Sequence, residues 1–195
     1  MSKLSNIILV PLTTRGVQEY IEELDAEVRG ILNEAGLGNI DILVWPEVVK
    51  PPMKCFDWTR VQYHAGCLAK HIKDVFQVIG VLDKNVVIGV GYIDGFEHGL
   101  NFVFGEALPD QRVAVVFTKR LKPEFYGNHP DYNLYFERLV KEVVHELGHL
   151  LGLEHCSGNC VMRFSNSVVE VDEKPKYFCG DCKEKIKRYY MSRTK

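Results

Sequence analysis

The sequence predicts an α/β fold in which helices pack against a mixed, twisted sheet. Two observations predict it. Apolar runs of strand length alternate with amphipathic stretches of helix length through the first half of the chain. A long amphipathic helix then leads into a short segment that is rich in Cys and poor in large aliphatics. Alternation of that kind layers strands and helices about one core. At 195 residues the chain fits one domain, and a chain of this length buries enough surface to fold without disulfides.

Residues 7–12 read as a buried strand, and 17–35 as an amphipathic helix closed by Gly36. Residues 40–44 form a second strand, and 46–56, with Pro51 and Pro52, a loop. Helical spacing of Val61, Ala65, Leu68, Ile72 and Phe76 predicts a helix over 59–76, capped by Asp57 or Thr59. Three further strands are expected at 86–93, 100–104 and 113–118. After a loop at 123–131, Leu134, Leu139, Val140, Val143, Leu147 and Leu150 place one face of a helix over 133–151 against a core. Gly152 stands where that helix should stop. The expectation is a single catalytic domain over 1–195, with an upper lobe at 1–152 and a smaller lower lobe at 153–195.

A formal net charge of −2 says little about partners. The apolar run at 7–12 is too short for a secretory signal, and no stretch reaches the roughly 18 apolar residues that span a membrane. The chain is therefore expected to be soluble, cytoplasmic and monomeric. Its six cysteines, Cys55, Cys67, Cys156, Cys160, Cys179 and Cys182, should stay thiols or bind metal.

The segment 145–155 reads HELGHLLGLEH. Residues four apart on a helix project together, so His145 and His149 can chelate one zinc ion, with Glu146 beside the open coordination position. A carboxylate there can take a proton from water and pass it to a leaving amine. A continued helix would carry His155 roughly 15 Å along the axis from His145. Gly152 removes that obstacle, because glycine adopts positive φ freely and can turn the chain back. Three imidazoles leave a fourth position open, the arrangement of a catalytic zinc site.

Cys156 and Cys160, then Cys179 and Cys182, form a CxxxC…CxxC pattern that fits a closed, structural four-thiolate zinc site. Two zinc ions per chain are thus expected. Cys67 reads as a small core residue on its helix, and Cys55 receives no role. His64, His71, His98 and His129 read as surface or packing residues, and Asp94 and Asp172 as turn or capping carboxylates. A rival reading rests on the tail from residue 173, which holds eight Lys or Arg against three Asp or Glu, interleaved with aromatics. Beside a Cys₄ site, that suits a zinc-ribbon-like nucleic-acid or protein-binding module. The overall charge and the complete histidine motif favour a peptidase.

HELGHLLGLEH matches the HExxHxxGxxH pattern of the metzincins. Cys156, the Cys160-Val161-Met162 run and the Cys179-Gly180-Asp181-Cys182 run resemble the archaemetzincins in particular, with two intervals each one residue short of that pattern. The resemblance implies a metzincin-like fold and a zinc-dependent peptidase, with aminopeptidase activity in some members. It implies Glu146 as general base, peptide or protein as substrate, and a methionine turn at Met162 beneath the metal. It further implies that residues 101–107 form the edge strand along which substrate lies.

Overall fold

The computed structural model describes residues 4–192, so the outermost residues of the expected 1–195 domain lie outside the described residues. Strand β1 (Asn6–Pro11) is almost wholly buried. It lies between β2 (Asp41–Val44) and β5 (Asn85–Gly91), parallel to both. Strand β8 (Val113–Phe117) joins β5 in parallel, and β7 (Gly105–Leu108) closes the sheet antiparallel to β8. The order is β2-β1-β5-β8-β7, which leaves β7 at an edge. A smaller sheet, β3-β4-β6, is built from β3 (Phe56–Asp57), β4 (Gln62–His64) and β6 (Gly95–Phe96).

Side chains alternate across the five-stranded sheet, so each face acquires its own apolar layer. Ile7, Leu9, Ile88 and Val116 pack with α1 (Ile21–Glu34) and α3 (Tyr132–Leu150). Ile8, Val10, Val87 and Val115 pack with α2 (Ala65–Val78) on the other face. After α3 come two short helices, α4 (Val168–Glu173) and α5 (Gly180–Ser192). Among the described residues no helix is long and apolar enough to cross a membrane.

Three expectations need correction. The helix predicted over 59–76 begins only at Ala65. Asp57 accepts from the backbone N–H groups of Thr59 and Arg60 and so closes a turn, Val61 adopts a positive φ of 56°, and the cap falls to His64. The strand predicted over 100–104 does not form, because Arg60 and Gln62 hold the carbonyls of Leu100 and Asn101. Val103 makes a lone bridge to Gly95, and β7 starts at Gly105. Finally, Cys55 and Cys67 are joined in a disulfide, with Cα atoms 5.5 Å apart. The short turn before α2 and the capped first turn of that helix bring the two together, a proximity that their separation of 12 residues does not reveal.

Candidate active site

Helix α3 sets the site. Asp131 caps it by accepting from the Leu134 N–H, and its C-terminus closes at Gly152, whose φ is 84°. The Leu153 N–H donates back to the Gly148 carbonyl at 2.9 Å, which reverses the chain within one turn. His155 is thereby returned to the helix face that carries His145 and His149. The three rings lie 4.8 to 5.3 Å apart between centroids, with Phe164 against His155.

The hydrogen bonds fix which nitrogens are available. His145 Nδ1 lies 2.9 Å from the Val161 carbonyl, and His149 Nδ1 lies 2.8 Å from that of Leu153. A carbonyl only accepts, so each Nδ1 carries the proton and each Nε2 presents a lone pair. Those two Nε2 atoms are 3.2 Å apart. Two lone pairs facing each other repel unless a cation lies between them. Tetrahedral coordination with Zn–N bonds near 2.0 Å sets the nitrogens roughly 3.3 Å apart, so the donors fit that ion. Burial holds the pKa of His145 well below that of an ordinary imidazole and lowers those of His149 and His155, with the Lys174 charge adding to each. Each of these shifts favours the neutral ring, the form that ligates metal.

The four cysteines also converge, each offering an Sγ within 4.8 Å of the others. Cys156 and Cys179 Sγ are 3.9 Å apart, close to the roughly 3.8 Å of a tetrahedral four-sulfur zinc site. Backbone N–H groups of Gly158 and Cys179 donate to Cys156 and Cys160 sulfurs. Burial pushes the Cys160 and Cys182 thiols up. Cys179 goes down despite burial, because hydrogen bonds from the Cys182 backbone and the neighbouring thiols outweigh it. The cluster is wired to the histidines: Cys156 N–H donates to the Met162 carbonyl, and Val161 N–H donates to that of Tyr177.

Met162 is fully buried beneath α3. A Cβ added to Gly148 would meet its Sδ at 2.2 Å, so the glycine lets the thioether seat directly under the helix. Glu146 is likewise fitted against a glycine. A Cβ on Gly105 of β7 would fall 2.3 Å from Glu146 Oε1. Burial, then the charges of Glu142 and Glu106, raises the Glu146 pKa well above the usual carboxylate range, while Lys174 pulls it back. Gly105, within the expected edge strand, is thus covered in part by this carboxylate.

Sequence reasoning passed over the ion pair Glu142–Lys174, whose charged atoms lie 2.9 Å apart and whose side chains are 4% and 1% exposed. Its trace was a glutamate one turn before Glu146 on a face otherwise apolar. Asp172, read as a capping carboxylate, instead takes a two-pronged bond from Arg138 at 2.6 Å, and Asp94 takes one from Arg120. Lys141 reaches the Asp172 carbonyl. Three cations therefore moor the segment around α4 to α3 or its neighbours. Glu142, Glu106, Lys174 and Ser165 line one cleft with the three histidines, a cavity of about 560 Å³.

His64, Glu97 and His98 form another cluster. His64 Nδ1 accepts from the Cys67 N–H, so its Nε2 carries the proton and faces Glu97 at 3.2 Å as a donor. That arrangement is a hydrogen bond from a neutral imidazole to a carboxylate. Two charges of the basic tail pair with helix α1: Lys176 with Glu27, and Lys183 with Glu34.

Comparison with known proteins bears on this geometry. The family model for peptidase family M54 matches residues 8–188. An archaemetzincin of Sulfolobus acidocaldarius is 46% identical over 147 residues, covering 75% of this chain and 80% of that one. One from Saccharolobus solfataricus is 39% identical over 184 residues, 93% of each chain. Among solved structures, the archaemetzincin of Archaeoglobus fulgidus, complexed with malonate, superposes with a TM-score of 0.74 at 38% identity. A zinc-dependent peptidase from Methanocorpusculum labreanum gives 0.80 at 28%. Each alignment covers 92% of this chain and 99% of the other. Fold and cleft together therefore define a zinc metallopeptidase. The chain belongs to peptidase family M54, the archaemetzincins.

Close packing of Gly105 on Glu146 makes a prediction. Gly105→Ala should cut peptide turnover at least about ten-fold, since it displaces a carboxylate that lines the cleft with the three histidines. Metal content, measured on the purified variant, should not change. Wild-type turnover would mean that Glu146 needs no such seat.

Proposed function

We propose that His145, His149 and His155 hold a catalytic zinc ion, that Cys156, Cys160, Cys179 and Cys182 hold a structural one, and that Glu146 is the general base of peptide-bond hydrolysis. The reading rests on one observation above others: two Nε2 lone pairs 3.2 Å apart, with both Nδ1 protons committed to carbonyls. When bound, the catalytic zinc supplies a Lewis acid that polarises the scissile carbonyl and acidifies the attacking water. Glu146 then accepts the proton of that water at its carboxylate and returns it to the leaving nitrogen. Met162 supports the imidazoles by packing, with no bond to the metal required. We take residues 1–195 as one catalytic unit, with the segment after Gly152 forming the lower wall of the cleft.

Substrate binding follows from the sheet edge. Phe117 N–H donates to the Phe104 carbonyl, so in the antiparallel alternation Phe104, Glu106 and Leu108 spend their backbone groups on β8. Gly105 and Ala107 then direct theirs outward, where an extended peptide can add as a strand. Val103, within the 101–107 run expected to form that edge, donates instead to Gly95.

Glu146→Gln keeps the shape of the side chain but cannot take a proton. It should retain both zinc ions and lose at least about a hundred-fold in turnover. Elemental analysis together with a peptide-cleavage assay tests this, and wild-type turnover would overturn the assignment of the base. A second observation favours aminopeptidase action. Glu106 lines the cleft, is half-buried and makes no ion pair among the described residues, which suits it to an ammonium group. Free peptides should then be cut at least about ten-fold faster than acetylated copies. Equal rates would assign endopeptidase action instead.

A further inference from the structure

The cleft contains polar groups that neither the hydrolytic step nor the metal sites use. Glu142 projects from α3 one turn before Glu146, on the same helix face. Lys174 follows α4 and reaches Glu142 at 2.9 Å and the Arg163 carbonyl at 3.4 Å. Both side chains are more than nine-tenths buried, and both line the cavity that holds the histidines. Ser165 lines it too, and its hydroxyl is shielded from solvent with no hydrogen-bond partner among the described residues. A buried hydroxyl left so carries an uncompensated desolvation cost, which a bound group could recover.

We propose that Glu142, Ser165 and Lys174 form a specificity pocket for a carboxamide side chain, asparagine or glutamine, next to the scissile bond of the substrate. This deepens the peptidase reading above and rests on it.

The choice of carboxamide follows from charge and hydrogen-bond count. Glu142 and Lys174 neutralise each other, so the pocket offers an acceptor and donors but no net charge. A substrate carboxylate would lie beside Glu142, and a substrate ammonium beside Lys174. Either adds like-charge repulsion in a site largely withdrawn from water. An aliphatic side chain would leave the Ser165 hydroxyl without a partner and shut water away from the ion pair. A carboxamide satisfies the set. Its NH₂ donates to Glu142, and its oxygen accepts from Lys174 Nζ or Ser165 Oγ. Lysine has three N–H donors, of which one is hydrogen-bonded to the Arg163 carbonyl, and the Glu142 Oε1 that it faces as an ion pair accepts no hydrogen bond from the described residues.

The test is a pair of measurements on zinc-loaded protein. Wild type is given a peptide library randomised at the two residues flanking the cut bond. Cleavage should favour Asn or Gln at one of them at least ten-fold over Leu, Glu and Lys. Ser165→Ala should reduce the Gln-to-Leu ratio several-fold. Glu142→Gln with Lys174→Met, which removes the pair without stranding a charge, should invert it while zinc content stays the same. A library preference for Leu, Glu or Lys at both positions would overturn the proposal, as would a ratio that neither variant moves. Binding gives the separate readout. The Glu146→Gln protein, loaded with zinc, should bind a Gln-containing peptide at least five-fold tighter than its Leu counterpart, as read by fluorescence anisotropy. Should wild type cut no peptide while this difference persists, the hydrolytic reading fails and the pocket stands. Equal binding of the two peptides overturns the pocket, whatever the turnover.

Discussion

Everything else in this structure depends on bringing two imidazole lone pairs to within 3.2 Å of each other. That contact is unfavourable in the protein alone, and the fold holds it from several directions. Helical spacing supplies His145 and His149, and carbonyls from two different segments, at Val161 and Leu153, orient their rings. The reversal at Gly152 brings His155 to the third position. Such outer hydrogen bonds fix both tautomer and ring orientation, which is why a ligand set cannot be understood from its ligands alone.

The Cys cluster takes on a clear purpose in that light. The stretch from Cys156 to Cys179 contains few secondary-structure bonds, yet it must deliver the Val161 carbonyl to His145 and Met162 to the underside of α3. Hydrogen bonds from Cys156 to Met162 and from Val161 to Tyr177 pass through this stretch. Tethering both of its ends at one cluster of sulfurs limits how far it can wander. Arg138, Lys141 and Lys174 add ionic and polar ties between α3 and the region around α4. Buried pairs of this kind contribute less to net stability than to holding one arrangement, because desolvation offsets much of their attraction.

How much of this was legible in the sequence depended on whether the signal was local. Strands β1, β2, β5 and β8 and helices α1 and α3 followed from apolar periodicity, and His145, His149 and His155 from their spacing along one helix and its glycine stop. The four clustered cysteines were legible for the same reason. What failed was non-local. Residues 59–64 carry helical periodicity, but Asp57, Val61 and His64 turn them into a hairpin and a cap. Residues 100–102 carry strand propensity, but Arg60 and Gln62 from forty positions earlier claim the carbonyls a ladder would need. Cys55 and Cys67 looked unrelated until that hairpin brought them together. Lys174 looked like one more basic residue in a basic tail, and only its burial against Glu142 separates it from the rest.

We propose that nitrogen and sulfur donors form two separate zinc sites in one chain. X-ray absorption at the zinc edge measures this directly on the loaded protein in solution. The account predicts two superposed shells, sulfur at about 2.3 Å and nitrogen or oxygen at about 2.0 Å. In the variant His149→Ala the nitrogen shell should fall while the sulfur shell keeps its distance and stoichiometry per chain. A single mixed nitrogen–sulfur shell, or a sulfur shell that disappears with His149, would contradict it.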